Sequence, residues 1–304
     1  VENFLFVQAV DTSAGSVIWR TEIPGVFYPQ NMRVQSDHIQ LLSTQYKPDS
    51  KYFVNTLVDF EGNIIAQYEK PYSGYEVDFN YISKTGDVIF SNRAFGYNVT
   101  RVDVQGDTLW AYVHPMNSGT NENRAVSVIE DDSLNVYVTG TIDLPTLSRE
   151  LVSSKFNIFG NVIWQKIYHS ENDSLIDYGN HISIIKDKAI VSGASQFANN
   201  DIVGVIILYD LLEGEEEYTI FVSSENVFRV DRSLGLRNKI FYTSEGYQSN
   251  INNMVAVTGC FSIPKISSTV NYFKYLNNIN TFPNPTADFI CISNIDTNIF
   301  DKIS

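Results

Sequence analysis

The sequence predicts an all-β protein built from tandem four-stranded antiparallel sheets. Three observations predict it: a turn-plus-aromatic signature that recurs five times, a hydroxyl residue in register after each copy, and a composition suited to pleated sheet. The 304 residues include 18 tyrosines and 19 phenylalanines, and only 18% are charged. Aromatic side chains fit half-buried pleated surfaces, which favours strands. No sustained 3.6-residue apolar periodicity competes with that reading.

The signature is an apolar strand, an Asx, a turn, a glycine, three residues and an aromatic. Its copies are Asp11-Thr-Ser-Ala-Gly15-Ser-Val-Ile-Trp19, Asp59-Phe-Glu-Gly62-Asn-Ile-Ile-Ala66, Asp103-Val-Gln-Gly106-Asp-Thr-Leu-Trp110, Asn157-Ile-Phe-Gly160-Asn-Val-Ile-Trp164 and Asp210-Leu-Leu-Glu-Gly214-Glu-Glu-Glu-Tyr218. The glycines recur after 47, 44, 54 and 54 residues, and Ala66 is the one non-aromatic terminus. A degenerate sixth copy, Val255-Ala-Val-Thr-Gly259, follows 45 residues later. Asp or Asn opens such a turn by binding nearby backbone, and glycine takes the positive φ of a tight hairpin. The aromatic begins the returning strand and can pack on a neighbouring repeat. These residues are read as structural.

A second hairpin follows each of the five copies. Ser43, Ser91, Thr139, Ser192 and Thr243 end its β-rich second strand, 28, 29, 33, 32 and 29 residues after the preceding glycine. Four short strands in a repeat of this length make a propeller blade. The chain is therefore read as a β-propeller over 1–265, with full blades near 25–70, 71–115, 116–169, 170–222 and 223–265. Residues 1–24 supply the outer hairpin of a further blade. Residues 266–280 are read as a linker, and 281–304 as the start of a β-sandwich-like tail.

Ala9-Val-Asp11-Thr-Ser-Ala-Gly15-Ser-Val-Ile-Trp19 resembles the tryptophan-docking repeat of quinoprotein-like propellers. That resemblance implies architecture, since the superfamily holds both quinone-dependent dehydrogenases and non-catalytic outer-membrane scaffolds. The dehydrogenases carry a vicinal cysteine pair, whereas Cys260 and Cys291 stand far apart. Phe282-Pro283-Asn284-Pro285-Thr-Ala-Asp-Phe-Ile-Cys-Ile292 resembles the opening of the C-terminal sorting domain of the type IX secretion system of Bacteroidetes. This resemblance implies a secreted or outer-surface protein that engages the secretion machinery through a truncated tail.

The net charge of −14 argues against nucleic acid, which needs a Lys/Arg surface. No run of 18 apolar residues could span a bilayer. The two cysteines form no disulfide framework and are expected to be small buried residues. No cofactor is expected. Glu171-Asn-Asp-Ser-Leu-Ile-Asp177 is the one candidate for calcium, although it lacks the glycine and spacing of a 12-residue calcium loop. No nucleophile elbow, phosphate loop or zinc-spaced cluster is present. His114 and His169 follow Trp110 and Trp164 at matching positions and are read as rim residues.

Long loops fall on one face of the expected propeller, which directs attention to that face for function. Its aromatic members Tyr28, Tyr72, Tyr75, Phe95 and Tyr97 are the candidate ligand residues, among Asn, Gln, Ser and Asp. Flat rings beside amides and hydroxyls suit sugar rings or peptide strands. The sequence thus points to a non-catalytic module that binds glycan or protein. One alternative is a polysaccharide hydrolase or lyase using rim carboxylates such as Asp143 or Asp177. Another is a structural spacer.

Overall fold

The computed structural model describes residues 4–25, 27–47, 50–72, 77–92, 96–115, 123–144, 149–169, 176–196, 202–222, 229–236, 239–248, 253–262 and 273–275. Among these residues every regular element is a strand. No helix is long and apolar enough to cross a membrane.

The chain divides into two compact units. The first holds residues 1–136 with Phe156–Asn161, and the second holds Tyr137–Lys155 with 162–304. In the first unit, β1 (Phe4–Val10) and β2 (Val17–Pro24) form an antiparallel hairpin. Then β3 (Phe27–Val34), β4 (Ile39–Lys47), β5 (Ser50–Val58) and β6 (Ile64–Tyr72) form a four-stranded antiparallel sheet in sequence order. A second such sheet follows, from β7 (Val77–Ile82), β8 (Val88–Asn92), β9 (Asn98–Val102) and β10 (Thr108–Val113).

The third sheet runs β11 (Arg124–Glu130), β12 (Val136–Asp143), β13 (Arg149–Phe156), β14 (Val162–Tyr168). Its β11 and its Asn157–Asn161 turn belong to the first unit, and most of the remainder belongs to the second. In the second unit, β15 (Asp177–Ile185), β16 (Lys188–Gln196), β17 (Ile202–Asp210) and β18 (Glu216–Val222) form the fourth sheet. The last sheet has three strands, β19 (Arg229–Leu236), β20 (Lys239–Gln248) and β21 (Asn253–Ser262). Repeated four-stranded antiparallel sheets of this kind are consistent with a propeller-like fold.

Of the region 223–265, expected to be a full four-stranded blade, the described residues include three strands, and 263–265 lie outside them. Gly259, expected in the turn of a sixth copy, occupies no turn: β21 runs through it to Ser262, and a Cβ there would collide with the Tyr242 ring. The linker expected over 266–280 contains a further strand, β22 (Phe273–Tyr275), parallel to Thr219–Phe221 of β18. The free edge of β18 offers unpaired backbone groups, and an apolar–polar–apolar tripeptide can satisfy them. The tail motif Pro283-Asn284-Pro285 and Cys291 lie outside the described residues. Cys260 is partly exposed, not buried as expected.

The cores sit where one sheet faces the next. Val7, Ile23, Leu41 and Val58 form one cluster, with Trp19 and Phe27 packed on it. Leu42, Ile82, Val88, Phe90 and Val102 form a second, joined by Phe53. In the second unit, Ile190, Ile206, Leu208, Val230, Ile240 and Tyr242 belong to a third. Neither face of a four-stranded sheet is wide enough to be buried alone, so each sheet depends on its neighbour.

The signature turns form as their chemistry dictates. Asp59 Oδ1 accepts the amides of Glu61 (3.0 Å) and Asn63 (2.7 Å), and Asn157 Oδ1 accepts those of Phe159 and Asn161 (both 3.0 Å). The Asn63 side-chain amide, which donates to Asp59 Oδ2 at 2.9 Å, does most to hold the Asp59 carboxyl below its usual range, and the Asn63 backbone amide comes next. Gly62 and Gly160 stand at φ of 93° and 81°. The hydroxyl positions are structural as well. Ser91, Ser192 and Thr243 face Phe79, His181 and Arg232, next to β-bulges in the partner strands that skip Asp78, Asn180 and Asp231. Bulges raise local twist and re-aim side chains.

Candidate functional site

The aromatic residues of the signature dock onto the next copy of the turn. Trp19 Nε1 donates to Phe60 O at 2.8 Å, and its ring lies so close to Gly62 that a Cβ there would stand 2.9 Å from it. Trp110 Nε1 donates to Ile158 O at 3.0 Å, its ring against Gly160. Trp164 Nε1 donates to Leu211 O at 3.3 Å, its ring against Gly214. Each glycine thus serves twice, providing the left-handed turn and the bare surface for an indole. Tyr218 is buried in its own core and meets no such glycine among the described residues.

The second copy departs from this pattern. With Ala66 in place of the aromatic, the aliphatic stem of Lys70 covers Gly106 and its Nζ pairs with Asp107 at 2.6 Å. Val104 O, two residues before Gly106, accepts from Asn55 Nδ2 at 2.9 Å.

One end of the first four-stranded sheet carries exposed aromatic rings. The start of β3 places Tyr28 beside Tyr46 at the end of β4, through the backbone pair Tyr28↔Thr44. Their rings meet edge to face at 5.0 Å and 81°, and they are 52% and 50% exposed. Lys51 Nζ lies 5.0 Å from the Tyr46 ring, and Lys47 Nζ 4.3 Å from Tyr52. Lys47 also pairs with Glu69 at 2.5 Å. The result is a corner of exposed rings, ammonium groups and a carboxylate. Such a corner can stack a ring and bind its hydroxyls, but it offers no nucleophile and base in register.

The other candidates fall elsewhere. Tyr72 pairs through its backbone with Lys51, at the same end of the sheet. Tyr75 and Phe95 lie outside the described residues. Tyr97 is fully buried, edge-on to His114 at 5.9 Å. His114 is buried too, whereas His169 is half exposed and 3.4 Å from Glu150. Asp143 pairs with Arg149 at 3.1 Å, and Asp177 is buried at the start of β15. Of the run proposed for calcium, only Ile176 and Asp177 are described. No group of three or more His, Cys, Asp or Glu among the described residues is placed to hold a metal. Sequence reasoning missed Tyr46 and Tyr52. The signal was present in their nearness to Lys47 and Lys51, but only the β4–β5 register Gln45↔Tyr52 and Tyr46↔Lys51 interleaves rings with ammonium groups.

Fold and site together define a class: an all-β protein of tandem, propeller-like sheets with an aromatic, charged corner at one sheet end. No known family model matches the sequence. No curated protein matches it either. Among solved structures it is similar to a protein of unknown function from Bacteroides caccae, at 10% identity and a TM-score of 0.39, over 81% of this chain and 80% of that one. It is also similar to a cobalt-substituted Synechocystis apocarotenoid oxygenase, at 10% identity and a TM-score of 0.48. That alignment covers 82% of this chain, which spans 64% of the oxygenase. A eukaryotic initiation factor aligns at 8% identity and a TM-score of 0.48, over 88% and 65% of the two chains.

Proposed function

We propose that the chain is a non-catalytic binding module whose Tyr28–Tyr46 corner takes a glycan. The supporting observation is the pair of half-exposed rings set edge to face, with Lys47, Lys51 and Glu69 beside them. Tyrosine gives a broad apolar face at low entropic cost, and the charged heads can reach ring hydroxyls. A protein segment with an exposed aromatic is the second ligand such a surface accepts.

The same proposal places the protein outside the cell or on its outer surface. Its support is the Pro283-Asn284-Pro285 motif and its resemblance to a type IX sorting tail.

A glycan array probed with the full chain tests the binding function. Binding to at least one polysaccharide class is expected. The substitutions Tyr28→Ala and Tyr46→Ala should each weaken it about tenfold, as for loss of a stacking anchor. Binding that survives both substitutions unchanged removes this corner from the account.

A further inference from the structure

The last strand of each repeat ends its sheet, and the repeats guard that edge differently. Two positions decide it, one and three residues after the aromatic position of the signature. On β2 they are Arg20 and Glu22, an exposed ion pair at 3.2 Å. On β6 they are exposed Gln67 and Glu69, the latter bound to Lys47. On β14 they are half-buried Gln165 and Ile167, with Gln165 Nε2 donating to Ser154 Oγ at 2.8 Å. On β18 they are Thr219 and Phe221, both buried, and β22 covers the edge. On β10 they are Ala111 and Val113, both exposed, Val113 at 53%. Edge strands that stay unpaired are normally protected by charge or by a cover. Among the described residues β10 has neither: no residue from Thr108 to Val113 is charged, and β9 is its one neighbour in the sheet.

The backbone turns outward at the same two residues. His114 N donates to Tyr97 O at 2.9 Å, and the register Val113↔Asn98 sets these two residues opposite each other. Hydrogen-bonded and non-bonded pairs alternate along an antiparallel ladder. Ala111 and Val113 therefore aim their N–H and C=O groups away from β9. The fifth repeat shows how this fold fills such an edge. Phe273 and Tyr275 of β22 lie beside Thr219 and Phe221 in parallel register, with Lys274 beside Ile220. Counted from the aromatic position, Thr219 and Phe221 match Ala111 and Val113.

We propose that the free edge of β10 docks an extended segment of another protein, of the pattern aromatic–basic–aromatic, as a fifth strand parallel to β10. The middle residue of the segment donates its N–H to Ala111 O and accepts from the Val113 N–H. The two aromatic side chains cover Ala111 and Val113. Main-chain bonds supply affinity in such strand addition, and alternate side chains supply selectivity. A basic middle residue suits a chain of net charge −14. The edge shares no residue with the Tyr28–Tyr46 corner, so either reading can fail without the other.

The probe is a peptide of residues 272–276, Tyr272-Phe-Lys-Tyr-Leu276, capped at both ends and titrated into the full chain. Saturable binding is expected with a Kd on the order of 0.1–1 mM. At a peptide concentration about ten times Kd, hydrogen exchange at the Ala111 and Val113 amides should slow about tenfold. The Lys274→Pro peptide lacks the N–H that meets Ala111 O and should not bind. Val113→Glu gives β10 the residue that Glu22 and Glu69 supply on β2 and β6, and should weaken binding about tenfold. If that variant does not fold, the exchange pattern of the unaltered chain decides. Overturning results are no saturable binding, slowed exchange at other strands in place of β10, equal affinity for the Lys274→Pro peptide, or binding undiminished in folded Val113→Glu. Exchange at Ala111 and Val113 that slows with protein concentration alone makes a second copy the occupant and also overturns the proposal.

Discussion

The step from Trp110 to Gly160 and the step from Ala66 to Gly106 start from the same turn and strand, yet close in different ways. In the first, an indole covers the glycine and its N–H meets a carbonyl of the next turn. In the second, a lysine stem covers the glycine, an asparagine from a different strand takes the matching carbonyl, and a cavity remains. The difference teaches that the backbone repeat does not depend on the tryptophan. The strands pair through β-ladders and Asx turns in either case. What the indole adds is filled volume and a hydrogen bond between one sheet and the next turn. Where it is missing, polar substitutes satisfy most of the backbone but fill less space.

The strongest way to break this comparison is to remove an indole where it is most buried. Trp164 packs against Tyr137 and Tyr209 as well as Gly214. Trp164→Ala should cost about 3–5 kcal/mol in chemical denaturation, as for large-to-small changes in a core. A loss below about 1 kcal/mol would mean that the docking is incidental.

The next effect sets the conditions for every such measurement. His181 on β15 is partly buried and faces the positive charge of Arg232. Burial first, and that charge second, lower its pKa from 6.5 to about 4. The unfolded chain therefore binds the proton first as pH falls. The stabilising effect is complete above pH 6.5 and is lost progressively down to about pH 4, a range worth about 2–3 kcal/mol. Denaturation midpoints should fall over that window, and His181→Gln should flatten the fall. A midpoint independent of pH between 7 and 4.5 would remove His181 from the account. The indole comparison is best made above pH 7.

A smaller contrast isolates the two duties of the glycine. Gly15 stands at φ of 66° with nothing near a Cβ, whereas Gly160 stands at 81° with the Trp110 ring 2.6 Å from a Cβ. Gly15→Ala should cost about 1–2 kcal/mol, the left-handed penalty alone. Gly160→Ala should cost clearly more, because the ring must shift as well. Equal losses would separate the turn from the docking. The smallest effect has the opposite sign: Ala66→Trp should stabilise the protein by about 1 kcal/mol through cavity filling, offset by the displaced Lys70–Asp107 pair. A thermal melt reads it directly.

Much of this architecture was legible because it rests on short-range chemistry. Asp59 and Gly62 declare a turn on their own, and the spacing from Gly62 to Ser91 marks the second hairpin. The docking was legible only in part. The glycine-to-aromatic spacing is visible, but a Cβ-free surface for the indole of the preceding repeat depends on how sheets face each other. Gly259 misled for the same reason: strand, Thr and Gly without an opening Asx make no turn, and the chain runs on as β21.

The sites were less legible still. Tyr97 reads like its loop neighbours, yet the Tyr97–His114 contact and backbone bond draw it inside. Tyr46 reads as an incidental loop aromatic until the β3–β4 register sets it against Tyr28. Asn55 sits mid-strand in β5 and carries no motif. Its importance comes from a carbonyl 49 residues away.

The most direct test is a double-mutant cycle on Trp110→Ala and Gly160→Ala, read by chemical denaturation above pH 7. If the indole rests on the glycine, the two losses overlap, and the double variant should be more stable than their sum implies by at least about 1 kcal/mol. Simple additivity would contradict the claim that tryptophan and glycine act as one joint between successive repeats.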